Sequence, residues 1–571
     1  MTTQPKPPKR WYTRRRYWSL AILAVLVYFC LIPSPLRVSP QTTGFTEPLL
    51  PNGDVDYFGV YERMYIDKLS PPEDNGQRLL IAALGPRILE QAAIANNVPW
   101  EQMPTHEYSK NWFEKQWVPL CEHMFIDPYI KPKFLDNRDY YRFMRTEWEA
   151  KNPEDILRNK EAYNDVQSKQ DEELRRRLIA APWTAEEHPN VARWLEERSP
   201  VLDLFGEAVR KPNFVCWRLN PGNLYAILLP DVQANRNFGR ELSVRVTERL
   251  GRGDVDGAWY DVMSMLYLSR KHYIHDPIIV TNLVGIAIEE MGRKSAELIL
   301  RQNNLTPEQL ERFAQDLDSL PRKSVLSFDL EHTFVYSGLQ ILQNDMDIFV
   351  ALVGGNQKPS FTNLETFFLW LFGGGTAGES LLPRYITLLP FDRNIAGKRM
   401  TDFFQTAQQK SGTLAWNINS TVVKQYLKNM EELALEKKLQ LESSLNLLRV
   451  PLIRTRSELI ADSVISLFLP AMQAAQHALD RANTHFELLR LAVALERYKA
   501  DNEKYPQALD ELVPKYLIEV PLEPFTGRQS FVYKPAPDAD TAFLIHSAQW
   551  DETGKDGHTK DLFLRMGNVI Q

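Results

Sequence analysis

An uncharged run from Tyr17 to Ile32 constrains this chain more than any other feature, because Lys6, Lys9, Arg10, Arg14, Arg15 and Arg16 precede it and Pro33 and Pro35 close it. Apolar side chains gain by leaving water, whereas the flanking cations resist crossing a bilayer. The pattern therefore predicts a membrane helix with its basic flank on the cytoplasmic side. At a rise of about 1.5 Å per residue the run reaches about 24 Å, against a hydrocarbon core of about 30 Å, and Tyr17 and Trp18 extend it into the interface. The stretch Phe29-Cys30-Leu31-Ile32-Pro33-Ser34-Pro35 offers no pair of small residues for signal-peptide cleavage. Residues 17–33 are accordingly read as a retained anchor in the inner membrane, with residues 1–16 a cytoplasmic tail and the bulk of the chain extracytoplasmic.

At 571 residues the chain exceeds what one compact core usually organises. Its 44% apolar and 25% charged residues exclude a disordered or collagen-like polymer. With 67 basic against 73 acidic residues the formal charge is -6, so the basic excess that a phosphate backbone demands is missing and nucleic acid is not expected as a partner. An extracytoplasmic location permits a disulfide, and Cys121 with Cys216 is the pair outside the anchor. A bond between them and two buried free thiols both remain open.

Residues 34–51 are spaced by prolines and read as a linker. From residue 52 to about 475 the apolar residues recur at helical spacing and almost never alternate. The clearest helix carries both of its end signals: Thr306-Pro307-Glu308 supplies a cap, a proline at the first helical position and an acidic first turn, and Leu310, Phe313, Leu317 and Leu320 form one stripe before Pro321. From Asn190 to Arg210, Val191, Trp194 and Leu195 precede Pro200 and Leu202, Leu204, Phe205 and Val209 follow it, which predicts a helical hairpin broken at the proline. The Gly253-Asp254 turn followed by Ala258 resembles the second half of a tetratricopeptide unit, but a solenoid needs roughly three copies and an irregular helical array is the expectation. The aromatic-rich stretch from Ile348 to Phe372 is expected to insert into the protein's own core.

The search for chemistry turns up three short patterns. Gly373 to Ser380 has the glycine and serine spacing of a phosphate loop, with Glu379 where the lysine belongs, so phosphate is repelled. His272 and His275 stand three residues apart at a helix end, with the carboxylates Glu289 and Glu290 on a different segment; surface histidines favoured by the helix dipole are the expectation. Cys121-Glu122-His123 places a thiol and an imidazole on faces of a helix that do not meet. No recognised hydrolase or metalloprotease motif occurs, so the chain is expected to be non-enzymatic.

The last hundred residues read as a helix carrying Leu488, Leu489, Leu491, Ala492, Leu495 and Tyr498, a Tyr505-Pro506 junction, a short helix over Gln507 to Val513, the crossing Val520-Pro521-Leu522-Glu523-Pro524-Phe525, and strand-like Ser530–Tyr533 and Thr541–His546. This order of pieces resembles the soluble part of the type II secretion major pseudopilin. The resemblance implies a small α+β module over residues 476–571 and a calcium-binding loop after the last long strand, in which Ser547, Asp551, Asp556 and Asp561 fall in comparable places. Carboxylates are hard ligands of the kind calcium prefers. Gln549 and Glu552 stand where that family has glycines, and Lys555 and Lys560 add positive charge. Asp54 to Phe58, Asn190 to Pro200, Asn282 to Ile288 and the Tyr505-Pro506 junction further resemble large bacterial membrane-anchored proteins carrying the same terminal module, a likeness that implies architecture and no reaction.

The sequence thus predicts a mainly α protein with an N-terminal single transmembrane helix, a large extracytoplasmic helical array and a small α+β module resembling a pseudopilin. Its expected role is binding or scaffolding of protein partners in the cell envelope. The alternatives are a component of a type II secretion or pilus-like system, and an envelope hydrolase whose site is assembled from distant segments.

Overall fold

The computed structural model describes residues 36–66, 72–85, 107–129, 173–218, 229–276, 278–302, 305–321, 332–343, 391–412, 453–524, 529–535, 543–548 and 563–566, together with residues 102, 105, 131, 133, 224 and 227. The principal helices are α1 (Gly76–Leu84), α2 (Pro189–Arg210), α3 (Pro230–Gly251), α4 (Val255–His275), α5 (Ile279–Leu300), α6 (Pro307–Ser319), α7 (His332–Gln343), α8 (Arg393–Gly412) and α9 (Ile453–Asn502). Three strands follow, β1 (Val532–Pro535), β2 (Phe543–His546) and β3 (Phe563–Met566). The protein is mainly helical, as expected. Among the described residues no helix is long and apolar enough to cross a membrane, and the expected anchor over residues 17–33 lies outside them.

The chain divides into two compact units, each assembled from separated stretches: residues 1–60, 334–409 and 425–472 form one, and residues 61–333, 410–424 and 473–571 the other. The 476–571 module therefore shares a unit with most of the helical array, and α9 contributes to both units. In the first unit, residues 36–51 are packed where a linker was expected. Thr43 is buried, Tyr57 donates its hydroxyl to the Thr43 carbonyl at 2.8 Å, and the rings of Phe45 and Tyr336 meet edge to face at 5.0 Å. The prolines there space local turns that Ser39 and Thr43 close by side-chain bonds, Thr43 donating to the Ser39 carbonyl at 2.8 Å.

The second unit is organised by α3, α4 and α5, which pack against each other in all three pairings. Short connections make successive helices antiparallel neighbours. At the α3–α4 turn Gly253 takes φ +82°, and Asp254 caps α4 by accepting from Gly257 N at 2.9 Å. Ala258, Val262, Met265, Leu266 and Leu268 are all buried along α4. α2 packs on α3 and α4, and α1 on α2. The α1–α2 approach is close enough that a Cβ on Gly76 would lie 1.9 Å from the Ala208 carbonyl oxygen, so only glycine fits there.

Two expectations about this unit need correction. Pro200 lies inside α2, which runs unbroken from Pro189 to Arg210. The buried positions 191, 194, 195, 198, 201, 202, 205, 208 and 209 keep helical phase straight through the proline, so one core face holds both halves and offsets the lost backbone bond. Ser199 Oγ also donates to the Leu195 carbonyl at 2.9 Å. The short helix expected over Gln507 to Val513 is present as a 3-10 helix over Leu509–Leu512, so only its extent is corrected. In contrast α6 forms as its end signals predict, with a reciprocal capping box between Thr306 and Gln309 and with Leu310, Phe313 and Leu317 buried.

β1, β2 and β3 make one antiparallel sheet in that order, with Tyr533 opposite Ile545 and Ile545 opposite Leu564. β1 and β2 coincide with the two strand-like runs; β3 was not anticipated. The second half of α9 belongs to the same core through Leu488, Leu489, Leu491, Ala492 and Leu495, and Tyr505 joins helix to sheet by meeting Phe543 edge to face at 4.9 Å.

Candidate functional site

The charged groups of the second unit fall into two kinds. The first kind closes on itself. Arg245 forks onto Asp261 at 2.6 and 2.9 Å and reaches Asp203 at 2.8 Å, while Arg249 adds a contact to Asp261 at 3.1 Å. Arg218 lies between Asp231 at 2.6 Å and Asp276 at 2.9 Å, and Asp276 also accepts from Thr281 at 3.0 Å. Arg270 and Ser269 hold Glu289 at 2.9 and 2.8 Å. Each of these sets joins different helices or loops, and each carboxylate meets its cation, so they act as cross-braces.

The patterns singled out in the sequence belong to this structural class or lie elsewhere. His272, expected at the surface, is buried; its ring meets Phe214 edge to face and its Nε2 lies 3.4 Å from Asn235 Nδ2. The α3–α5 bundle covers the end of α4, which sequence periodicity did not reveal. Glu289 and Glu290 are engaged by Arg270 and Arg293. Cys121 and Cys216 are buried free thiols, and burial with nearby Asp127 and Glu122 pushes Cys121 up to about 12. His123 turns its Nδ1 to the Pro119 carbonyl at 3.0 Å and stacks on Trp217 at 3.9 Å, away from any thiol chemistry. Ser547, the first residue of the expected calcium loop, is buried and donates to Glu523 at 3.1 Å. Asp551, Asp556 and Asp561, Gly373 to Ser380 and Ile348 to Phe372 lie outside the described residues. Among the described residues no group of three or more His, Cys, Asp or Glu is arranged to hold a metal ion.

The second kind of charged group surrounds a cleft. A cavity of about 820 Å3 is walled by the C-terminal end of α5, the start of α6, the end of α9 and β3. Such a volume lies within the range of roughly 300 to 1,000 Å3 typical of ligand sites. Leu300, Leu310, Phe563 and Met566 supply apolar wall; Arg301, Glu496, Lys499, Glu503 and Arg565 supply charge. Arg301 and Lys499 sit at helix C-termini, where the macrodipole favours cations.

The chain reverses just after α9, with Glu503 at φ +61° and its amide donating to the Lys499 carbonyl at 2.8 Å, and this brings Tyr505 back over the last turns of the helix. There Lys499 Nζ donates to the Tyr505 hydroxyl at 3.4 Å and the hydroxyl donates to Glu496 Oε1 at 2.6 Å. Burial raises the Glu496 carboxyl, against the pull of the Tyr505 hydrogen bond and the Lys499 charge. The Tyr505 hydroxyl is itself raised, by burial and then by Glu496, so it keeps its proton and remains a donor.

Arg301 approaches Glu297 at 3.9 Å, Lys499 acts on Glu496 by its charge and through Tyr505, and Arg565 is exposed on β3. The sequence marks Tyr505 through the Tyr-Pro junction and gives no sign of Arg565; the i, i+3 pair Glu496 and Lys499 just before that reversal is the signal that points to the site. No protein-family model, curated protein or solved structure matches this chain.

Proposed function

We propose that the chain is a membrane-anchored envelope protein that binds another protein in the cleft between the helical array and the terminal α+β module. The observation that carries this reading is the cleft of about 820 Å3, with mixed apolar and charged walls drawn from four elements. The basic flank before Tyr17 to Ile32 supports an inner-membrane anchor over residues 17–33 with the bulk extracytoplasmic. A hydrolase reading asks for converging carboxylates or histidines beside the reacting bond. The described residues lining the cleft include two carboxylates, Glu496 and Glu503, and no histidine, serine or cysteine, so recognition is favoured over hydrolysis.

Photo-crosslinking in intact membranes tests this. A benzophenone amino acid replacing the exposed Glu503 should yield a discrete protein adduct, while the same group at Val280, exposed at the opposite end of α5, should not. No adduct from position 503, or the same adducts from both positions, would remove the binding reading. Recovery of the chain in the soluble fraction after cell breakage would remove the anchor.

A further inference from the structure

Resting on the membrane-anchored reading, we infer that one end of the helical array in the second unit lies on the bilayer surface, with Phe125 and Tyr129 entering the lipid interface. The connections define that end. Gly76 N, at the start of α1, donates to the Asn213 carbonyl at 2.8 Å just past the end of α2, and Lys271 near the end of α4 donates to the Pro212 carbonyl at 2.6 Å. Arg218 joins Asp231 in the first turn of α3 to Asp276 between α4 and α5. Arg78, in the first turn of α1, holds the Met124 and Phe125 carbonyls at 2.8 and 2.9 Å, so residues 124–129 belong to the same end.

Phe125 is the residue there that the fold explains least. It follows the short helix Val118–His123 and Met124 at φ +52°, its amide donating to the Glu122 carbonyl at 3.2 Å and the Ile126 amide to the Cys121 carbonyl at 2.8 Å. These two bonds close a helix C-terminus by the Schellman arrangement, whose left-handed position glycine fills without steric penalty. A phenylalanine there is strained, and it is 69% exposed, so neither backbone geometry nor core packing accounts for it. Tyr129 is 63% exposed, and its segment is fixed by its own amide, which donates to Asp127 Oδ1 at 3.0 Å, and by Trp117 Nε1, which donates to the Pro128 carbonyl at 3.0 Å.

The rest of that end shares this character. Val280 and Leu283, in the first two turns of α5, are exposed. At the opposite end the α3–α4 turn presents Arg252 and Asp254, and no large apolar residue of α2 to α5 is exposed there among the described residues. The exposed charges of residues 122–133 are Glu122, Asp127, Lys131 and Lys133. They balance, so an anionic headgroup layer does not repel the loop and the driving force is apolar.

The shape of this surface favours lipid over protein. Phe125, Tyr129 and Val280 line neither the cleft of about 820 Å3 nor the cavity of about 210 Å3 between α5 and α9, so they offer projections rather than a pocket. A fluid interface accepts separated projecting side chains without matching pockets, aromatic rings favour its depth, and lysine stems reach back to the headgroups. A bilayer is also the apolar medium that an anchored chain meets continuously. The anchor makes this second contact intramolecular, so a few inserted side chains suffice.

The test reconstitutes the full chain into vesicles of phosphatidylcholine and phosphatidylglycerol, with a benzophenone amino acid at position 125, 129, 280 or 252, and reads lipid adducts by mass spectrometry after irradiation. Positions 125, 129 and 280 should give lipid adducts that persist in high salt, and position 252 should give none. Phe125→Gly, read with the probe at position 129, should lose most of the adduct while keeping its melting midpoint, because glycine suits the left-handed position. Loss of contact in that variant is then not loss of structure. Adducts absent from 125 and 129, equal at all four positions, abolished by salt, or undiminished by Phe125→Gly would each overturn the inference. A discrete protein adduct at position 125 in intact membranes, without lipid, would assign the surface to a protein partner and overturn it too. Flotation separates this inference from the anchor. A chain that does not float with the vesicles removes the anchor and this inference with it, whereas one that floats without lipid adducts at 125 and 129 sinks this inference alone.

Discussion

Asp261 has no exposed side-chain surface and Arg245 only 2%, and this burial sets the largest single-residue effect expected in the helical array. Breaking a buried ion pair from one side strands the other charge, at a cost of about 3 to 5 kcal/mol. The two sides are not equivalent. Arg245→Met leaves Asp261 with Arg249 at 3.1 Å, so its cost falls at the lower end. Asp261→Leu deprives both guanidiniums, and the alternative Asp203 is 56% exposed and therefore a weaker partner, so its cost falls at the upper end. Hydrogen exchange of the α3 and α4 amides reads these differences as local opening, and about 3 to 5 kcal/mol corresponds to exchange accelerated roughly 100- to 5,000-fold. The double variant should open less readily than the sum of the single effects, because it strands fewer charges. As a control, Lys110→Ala, which removes a solvent-exposed partner of Glu114, should change local exchange by no more than about 1 kcal/mol. Strict additivity of the double variant, or an Arg245→Met cost no larger than that control, would refute the assignment of these residues as a buried brace.

Burial on its own would raise Glu290, but hydrogen bonds and charge from Arg293 and His485 outweigh it and hold the carboxyl well below the usual carboxylate range. Its folded-state pKa therefore lies below the unfolded value of about 4.3, so the stability it contributes is complete above that value and is lost as pH falls through the folded one. Glu290→Gln should destabilise the second unit by about 1 to 2 kcal/mol at pH 7, and the gap to the parent should close as pH drops below about 4; urea titrations that give a constant gap from pH 7 to pH 2 contradict the pairing. For Cys121, pushed up to about 12, and Cys216, pushed well above an ordinary thiol by burial, iodoacetamide at pH 8 should label both positions in the unfolded chain and leave both almost untouched in the native one. Rapid native labelling, followed by mass spectrometry, would show that these thiols are not enclosed as described.

What was legible in the sequence was whatever local physics fixes. Thr306, Pro307 and Gln309 announce α6 because a cap is a contact between neighbours, and Gly253-Asp254 announces the α3–α4 turn because a positive φ and an Asp side chain are needed within a few residues. The linker and hairpin expectations failed where a local signal met tertiary packing. Pro200 is a helix breaker in isolation, yet the apolar stripe on both sides of it stays in register, and a continuous buried face is worth more than one backbone bond. β3 escaped notice because Phe563 to Met566 is too short to show convincing alternation, and its identity as a strand comes from its pairing with β2.

The cleft was the least legible feature, for a reason that bears on how it works. Arg301, Lys499 and Arg565 are separated by up to 264 positions in the chain, and no spacing rule connects them. Lys499 is held there by the Tyr505 hydroxyl at 3.4 Å and Arg301 by Glu297 at 3.9 Å. Desolvation offsets much of what a half-buried ion pair gains, so the fold need not set a carboxylate directly against Lys499. The walls around Lys499 instead present leucine, phenylalanine and methionine, together with a Glu496 whose nearest oxygen is taken up by Tyr505. That arrangement is assembled only by folding, because the end of α5, the end of α9 and β3 reach the cleft from separate stretches of the chain.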